Sequence, residues 1–90
     1  MVKIGKYNYE KSNRKNKKLF TIVNGKEVHF GDIRYQHFKD KTGIHKNLDH
    51  NDPERRKNYL TRSKGIKDKN GKLTKDNPES PNYHAIRILW

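Results

Sequence analysis

The strongest constraint on the fold is the segment KKLFTIVNGKEVHF, residues 17–30. LFTIV is rich in β-branched and aromatic residues, and EVHF alternates apolar and polar positions. Asn24-Gly25 stands between these runs and supplies the two positive-φ positions of a tight type I′ turn. The segment therefore predicts a β-hairpin. Four side chains are expected on its buried face: Phe20, Ile22, Val28 and Phe30.

A first helix is predicted within NDPERRKNYLTRSKG. Asp52 can accept hydrogen bonds from the free amides of the first turn, and Pro53 suits the first helical position. Gly65 suits a left-handed stop after the last turn. The segment before this helix, DIRYQHFKDKTG, is ambiguous, because its apolar spacing fits either a short helix or a bent strand.

A second helix is predicted from Ser80-Pro81 onward, where serine can cap the helix and proline can begin it. AIRILW also has the β-branched content of a strand, but the Ser-Pro start favours a helix. The predicted apolar face carries Tyr83, Ile86, Leu89 and Trp90. Because an isolated hairpin is marginal in water, we expect this helix to cover the hairpin and Trp90 to close the core.

Residues 1–16 are basic, and the stretch EKSNRKNKK offers no core residue. Val2, Ile4, Tyr7 and Tyr9 alternate as an edge strand would. We expect a basic arm over residues 1–16 that is disordered or is ordered by a partner. Residues 17–90 are expected to form one small α+β domain, a β-hairpin packed by one or two short helices.

Charge dominates the composition, with 22 Lys and Arg against 10 Asp and Glu, for a net charge of +12. Such a chain attracts polyanions, so nucleic acid and an acidic protein surface are the expected partners. No basic amphipathic helix or long apolar run indicates a membrane. With no cysteine, thiolate metal sites are excluded. We expect no cofactor and no small-molecule substrate.

Candidate binding residues follow from the basic arm and the basic first helix. Nine side chains are candidates for binding a polyanion or an acidic partner: Arg14, Lys15, Lys17, Lys18, Arg55, Arg56, Lys57, Arg62 and Lys64. Six aromatic side chains are candidates for anchors or for the core: Phe20, Phe30, Tyr35, Tyr59, Tyr83 and Trp90.

Histidines and carboxylates raise the question of a metal site or an enzyme. Metal donors cluster in HKNLDHND as His45, Asp49, His50 and Asp52. Asp49-His50, with Asn77 and His84 downstream, is faintly similar to the metal-dependent His-Asn-His nucleases, but the spacing is off. No nucleophile-base motif or phosphate-binding glycine loop is present. We therefore expect no metal and no catalytic residue, and the nuclease remains a remote alternative.

Three stretches carry a family resemblance: GKEVHFGDIRYQHF, HKNLDHNDPERRKNYLTRSKGI and NGKLTKDNPESPNYHAIRILW. Over residues 17–90 the chain resembles a family of small uncharacterised basic proteins of large DNA viruses, including algal and giant viruses. Phe30-Gly31, the Arg-rich helix and the C-terminal Leu89-Trp90 motif carry the resemblance. Ser63 stands where this family has a histidine, which argues against a ligand or catalytic role at that position.

The resemblance implies a viral origin and therefore favours a component of the virus particle. We expect a non-enzymatic structural protein, located in the virion, that acts as a minor capsid or cement protein between viral capsid subunits. The alternative is a nucleic-acid-binding protein that neutralises or packages viral DNA. The interspersed acidic residues suit protein surfaces as well as phosphate, so both partners stay open.

Overall fold

Four antiparallel strands form the sheet on which the rest of the chain packs, in a computed structural model that describes residues 2–90. The strands, adjacent in chain order, are β1 (Val2–Ile4), β2 (Tyr7–Lys11), β3 (Lys17–Val23) and β4 (Lys26–Asp32). The helices are α1 (Pro53–Ser63) and α2 (Pro81–Ile88), with 3-10 turns at Lys46–Leu48 and Thr74–Asp76. One sheet and two helices confirm the predicted α+β fold.

The predicted hairpin is confirmed as β3 and β4. Asn24 and Gly25 form its turn with φ values of 52° and 80°. A two-residue turn pairs Val23 with Lys26, and this register is kept down to the start of β3. Neither φ value is strained, because asparagine and glycine are the residues that tolerate the left-handed region.

The buried face of the hairpin differs from the predicted one. The register places Thr21 opposite Val28 and Leu19 opposite Phe30, and all four side chains are buried. Phe20 and Ile22 therefore lie on the outer face, where Ile22 is 51% exposed. The prediction was wrong for these two residues, because side chains alternate between faces and a shift of one position exchanges them.

Residues predicted as a basic arm contribute two strands to the sheet. Val2–Ile4 pairs with Tyr7–Lys11, which in turn pairs with β3. Tyr9 is 2% exposed, and its hydroxyl bonds to His84 Nδ1 at 2.9 Å. The structure thus differs from the predicted boundary at residue 16, because Tyr9 buries a large apolar ring in the core. Met1 lies outside the described residues.

Both predicted helices form, with the predicted caps. Asp52 Oδ1 accepts from the amides of Glu54 (3.0 Å) and Arg55 (3.3 Å), and Ser80 Oγ accepts from the amide of Asn82 (3.3 Å). The helix ends just before Gly65, but the predicted left-handed conformation of Gly65 is wrong. Gly65 is not among the glycines with positive φ, because α1 ends in a right-handed turn one residue earlier, at Lys64.

The hairpin is covered by α2, as predicted. The core contains Tyr9, Leu19, Phe30, Ala85, Ile88 and Leu89, and Trp90 packs against it half-buried. The buried face of α2 is rotated from the predicted one, since Tyr83 and Ile86 are half-buried while His84 and Ala85 are buried. His84 can occupy the core because its two ring nitrogens bond to Tyr9 and to the Pro78 carbonyl.

The ambiguous segment after β4 is neither a helix nor a regular strand. Residues 33–45 form turns, with one isolated parallel bridge between His37 and Asp49. Backbone amides of Lys39 and Lys41 donate to carbonyls of Leu89 and Ile88, so this loop is attached to the end of α2. Neither α-helix in residues 2–90 is long and apolar enough to cross a membrane.

Candidate functional site

A groove of about 660 Å³ opens between the two α-helices and the end of the β3–β4 hairpin. Its volume lies within the range of small-molecule and cofactor sites. Residues from every one of these elements line it, together with the loop that follows β4. The lining residues that carry charge, hydrogen-bonding groups or aromatic surface on its rim include Lys17, Tyr35, Arg55, Asn58, Tyr59 and Arg62.

One face of α1 forms the cationic wall of the groove. Arg55, Tyr59 and Arg62 are spaced by four and three residues, so they lie on the same side of the helix. Lys57 and Lys64 are exposed too, but each follows one of these arginines by two residues, which places it on the opposite side of α1. Neither of these lysines lines the groove. One pair of cations, Arg55 and Arg62, thus faces the groove, and a second pair, Lys57 and Lys64, faces away from it.

In the described part of the chain, Lys17, Arg55 and Arg62 at the groove form no ion pair, although the charge of Lys17 helps to lower the pKa of Asp32. Within residues 2–90, the Lys and Arg side chains form ion pairs at three places, Lys26–Glu79, Arg34–Asp32 and Lys75–Asp76. Asp32 also lines the groove, but Arg34 binds both of its carboxylate oxygens, at 3.0 and 2.7 Å. These hydrogen bonds lower the pKa of Asp32 to about 2. The groove therefore keeps an excess of positive charge.

Aromatic rings form a second component of the groove. Tyr59 and Trp90 stack nearly parallel, with 4.0 Å between ring centroids and 8° between planes. The guanidinium of Arg62 lies 5.8 Å from the Tyr59 centroid, and the His50 ring lies 5.2 Å from the Trp90 centroid. Tyr35, in contrast, is 66% exposed at the groove. The Arg34 guanidinium lies 5.8 Å from the Tyr35 centroid, and among the groove rings of residues 2–90 Tyr35 has the most exposed surface.

Arg56 has a different position from its neighbour Arg55. Its Nε donates to the main-chain oxygen of Trp90 at 2.8 Å, and its guanidinium lies 5.4 Å from the Phe38 ring centroid. Arg55 instead donates from Nη1 to Gln36 Oε1 at 3.1 Å, on the groove side. Arg56 therefore fastens residue 90 to α1, and Arg55 belongs to the groove.

Lys18 is buried, although it was predicted to bind a partner. Part of Lys18 borders the groove, but the residue is 2% exposed and its Nζ donates to His37 Nδ1 at 2.8 Å. His37 Nε2 donates to Asp49 Oδ1 at 2.5 Å, and that oxygen also accepts from the Asp40 amide at 2.8 Å. His45 Nε2 donates to the Lys18 carbonyl at 2.9 Å. We call the chain Lys18–His37–Asp49 the polar interior network.

Burial sets the protonation states in this network. Desolvation lowers the pKa of Lys18 to about 8, opposed by the negative charges of Asp32, Asp40 and Asp49. Desolvation, followed by the charge of Lys18, also lowers the pKa of His37 below its usual value. Neutral His37 can then accept at Nδ1 and donate at Nε2. The network holds the loop before α1 against β3, and its fully buried imidazole offers solutes no access.

The remaining predicted residues lie outside the groove. Arg14 and Lys15 are exposed on the turn between β2 and β3. Phe20 stacks on His29 across the outer face of the sheet, with 5.0 Å between centroids. Phe30 is in the core, and Tyr83 lies beside Arg87, whose guanidinium is 4.2 Å from its centroid.

The potential metal donors considered in the sequence bind separate partners. His45 binds the Lys18 carbonyl, Asp49 binds His37, and His50 Nδ1 accepts from the Asp52 amide at 2.9 Å. Within residues 2–90, no three His, Asp or Glu side chains form a group that could hold a metal ion. His50 Nε2 is buried and has no hydrogen-bond partner in that part of the chain.

Sequence reasoning missed His37, Gln36 and Asn58 as site or network residues. His37 follows Lys18 by 19 residues, and no local pattern indicates that their side chains meet. The spacing of Asn58 from Arg55 and Arg62 was a usable signal, because residues three and four apart share a helix face.

The chain matches a known protein family over more than half of its length. A family model described as a family of unknown function (DUF5754) matches residues 7–63. This range contains β2, β3, β4 and α1, and it includes the groove residues Lys17, Tyr35, Arg55 and Arg62. It does not reach the C-terminal Leu89-Trp90 motif. No curated protein matches the chain, and no solved structure matches it.

Proposed function

We propose that this chain, which belongs to the family of unknown function DUF5754, is a nucleic-acid-binding protein that contacts backbone phosphates through its groove. One observation carries the proposal. The groove combines Lys17, Arg55 and Arg62, none of which has an acidic partner in residues 2–90, with aromatic surface in a single concave site. Cations and aromatic rings together are what a nucleic-acid strand requires of a binding surface.

The chemistry of the cations supports phosphate as the ligand. A guanidinium carries five N–H donors in a planar fork and binds phosphate through two parallel hydrogen bonds. Arg55 uses one nitrogen for Gln36, so donors remain for an anion. The net charge of +12 adds a long-range attraction that raises the rate of encounter with a polyanion.

Binding of this kind does not depend on base sequence. Phosphate contacts fix the position of a protein on a strand but carry no base information. We therefore expect similar affinity for unrelated sequences and a strong dependence on salt, because each neutralised phosphate releases counterions.

The role in a virus particle stays a prediction. An acidic capsid surface would offer carboxylates to the same arginines, and a capsid or cement protein would then bind nucleic acid weakly at physiological salt. The absence of catalytic activity and the location in a virion are likewise predictions. Binding measurements on the purified protein separate the two partner classes.

The experiment uses two pairs of substitutions in α1. The double variant Arg55→Ala/Arg62→Ala removes two charges from the groove, and Lys57→Ala/Lys64→Ala removes two charges from the other side. Binding of labelled DNA is measured by anisotropy at several salt concentrations between about 50 and 200 mM. The groove pair should flatten the slope of log affinity against log salt by about 1.4 on single strands and about 1.8 on duplex.

The control pair should change the slope much less. Equal changes for both pairs would mean that the overall charge binds DNA and the groove does not. If the wild-type protein fails to bind DNA, the proposal is wrong, and an acidic protein surface becomes the better partner.

A further inference from the structure

The most exposed aromatic residue of the groove lies on a hydrogen-bonded turn. Tyr35 is 66% exposed, yet its backbone amide donates to the Asp32 carbonyl at 3.1 Å. Asp32 Oδ1 accepts from the Arg34 amide at 2.9 Å, and the Arg34 side chain binds the same carboxylate. The Ile33 amide donates to the Asn16 carbonyl at 3.0 Å. These bonds order the backbone at an aromatic residue that gains little from burial in the protein.

We propose that Tyr35 stacks against an unpaired base, so that the groove prefers single-stranded nucleic acid to duplex. The inference rests on the proposed function and adds that the bound nucleic acid is single-stranded. Stacking on an aromatic ring suits every base, because each has a π-face. It therefore agrees with the sequence-independent phosphate contacts.

The cations stand where the phosphates of such a base would lie. Arg55 Nη1 donates to Gln36, the residue that follows Tyr35, so this guanidinium lies beside the turn. Lys17 lines the same groove from the start of β3. A base on Tyr35 thus has cations of two elements next to its sugar-phosphate backbone, and binding of the base and binding of the phosphate reinforce each other.

The other aromatic rings of the groove have faces that are already covered. Trp90 covers one face of Tyr59, and the guanidinium of Arg62 lies over the Tyr59 ring. The His50 ring packs beside Trp90, with 5.2 Å between the ring centroids. These rings support the wall of the groove. Tyr35 has the Arg34 guanidinium 5.8 Å from its ring centroid. Within residues 2–90 no second ring stacks on it, and at 66% exposure it keeps an open face to which a base can be added.

Duplex DNA does not meet the requirement of this site. A paired base is stacked on both faces, and presenting one face to Tyr35 requires unstacking that costs a few kcal/mol. The groove is also concave, whereas a duplex is read by elements that project into its own grooves. A single strand has bases free to turn outward, so it can supply the base and the phosphates at once.

The test compares three probes of equal length, about 12 nucleotides: a single strand of thymidines, the same strand without bases, and a duplex. All three carry phosphates, so loss of affinity for the abasic strand isolates the base. We expect the wild-type protein to bind the thymidine strand about tenfold more tightly than the abasic strand. Its affinity for the duplex should also be lower than for the thymidine strand.

Two variants of Tyr35 and one control locate the effect. Tyr35→Ala should remove the preference for bases, and Tyr35→Phe should keep it, because the ring and not the hydroxyl stacks. Ile33→Ala, on the same turn and 37% exposed, should leave the preference unchanged. Thermal melting of each variant verifies that the fold is intact.

The inference fails if the wild-type protein binds thymidine and abasic strands equally, or if Tyr35→Ala behaves like Ile33→Ala. Either result would leave salt-dependent phosphate binding, and thus the proposed function, standing. Absence of binding to all three probes would overturn both.

Discussion

Lys17 and Lys18 are neighbours in β3, and their surroundings are opposite. Lys17 is exposed on the groove, whereas Lys18 is 2% exposed and donates to His37. Alternation along a strand sends adjacent side chains in different directions, so one position decides between solvent and interior. The comparison teaches that positive charge in this chain has two uses. In the polar interior network the Lys18 ammonium is a buried hydrogen-bond donor to His37, and at the groove the cations remain available to a ligand.

The largest expected effect is on the interior side of this comparison. Asp49→Ala removes the carboxylate that His37 Nε2 and the Asp40 amide contact, and leaves these two donors without their acceptor. Breaking a buried charged network in this way costs about 3 to 5 kcal/mol. A domain of this size has about that much stability in total, so we expect a largely unfolded protein.

Urea denaturation followed by circular dichroism measures this loss, with Lys17→Ala as the control. The control should change the free energy of unfolding by less than about 0.5 kcal/mol, because an exposed cation contributes little to stability. Similar losses of unfolding free energy for the two variants would mean that the polar interior network contributes no more to stability than an exposed groove cation does.

The second-largest effect on stability is expected at Gly31, which lies beside Lys18 of the polar interior network and also lines the groove. It has a φ of +76°, and a Cβ built there would lie 2.8 Å from Leu89 Cδ1 and 3.1 Å from Lys18 Cδ. Gly31→Ala should therefore lose about 1 to 3 kcal/mol of stability from crowding and backbone strain. Gly25→Ala is the matched control, since its φ is +80° and nothing lies within 4 Å. Equal losses would show that the close contact with Lys18 and Leu89 does not matter.

The third prediction uses pH. The pKa of Lys18 is about 8 in the folded protein against 10.5 for an ordinary lysine. Between these values the unfolded chain holds a proton that the folded chain has released, so stability should rise with pH. We expect a gain of about 1 to 2 kcal/mol from pH 8 to pH 10. Above pH 10 stability should fall again. Buried Tyr9 has a pKa of about 12, so its hydroxyl releases a proton more readily in the unfolded chain.

Lys18→Met supplies the reference for this pH dependence. The variant keeps an unbranched apolar side chain but has no titrating amine, so its stability should stay nearly flat over the same range. If wild-type protein and variant show the same slope, another group causes the dependence.

The smallest expected effect on stability is on the groove side. Arg55→Ala/Arg62→Ala should change the free energy of unfolding by less than about 0.5 kcal/mol per residue, because both side chains are exposed and lack acidic partners. Equilibrium denaturation checks this. A loss of several kcal/mol would make the arginines part of the fold and would weaken their assignment to a ligand.

The local structure was predicted well, because turns and helix starts depend on residues that are neighbours in the sequence. Asn24-Gly25 predicted the hairpin, and Asp52 and Ser80 predicted the two helix starts. The error in the buried face was avoidable. A two-residue turn fixes which residues are opposite, and Val23 opposite Lys26 already implies Leu19 opposite Phe30.

The long-range contacts could not be predicted in this way. Lys18 is buried because its ammonium donates to His37, and His37 lies on an irregular loop. The position of Tyr9 against His84 joins residues 75 apart in the chain. Of the candidate site, the arginines of α1 were identified, but only the packing of α1 on α2 separates Arg55 and Arg62 from Arg56 and Lys57.

Side-chain NMR during titration with a single strand of about 12 nucleotides shows whether the groove cations bind a ligand while the interior cation does not. We expect the ammonium signal of Lys17 and the Nε signals of Arg55 and Arg62 to shift with the added strand. The signal of Lys18 should stay in place because its Nζ already donates to His37. Shifts confined to Lys57 and Lys64, or none at all, would contradict this expectation.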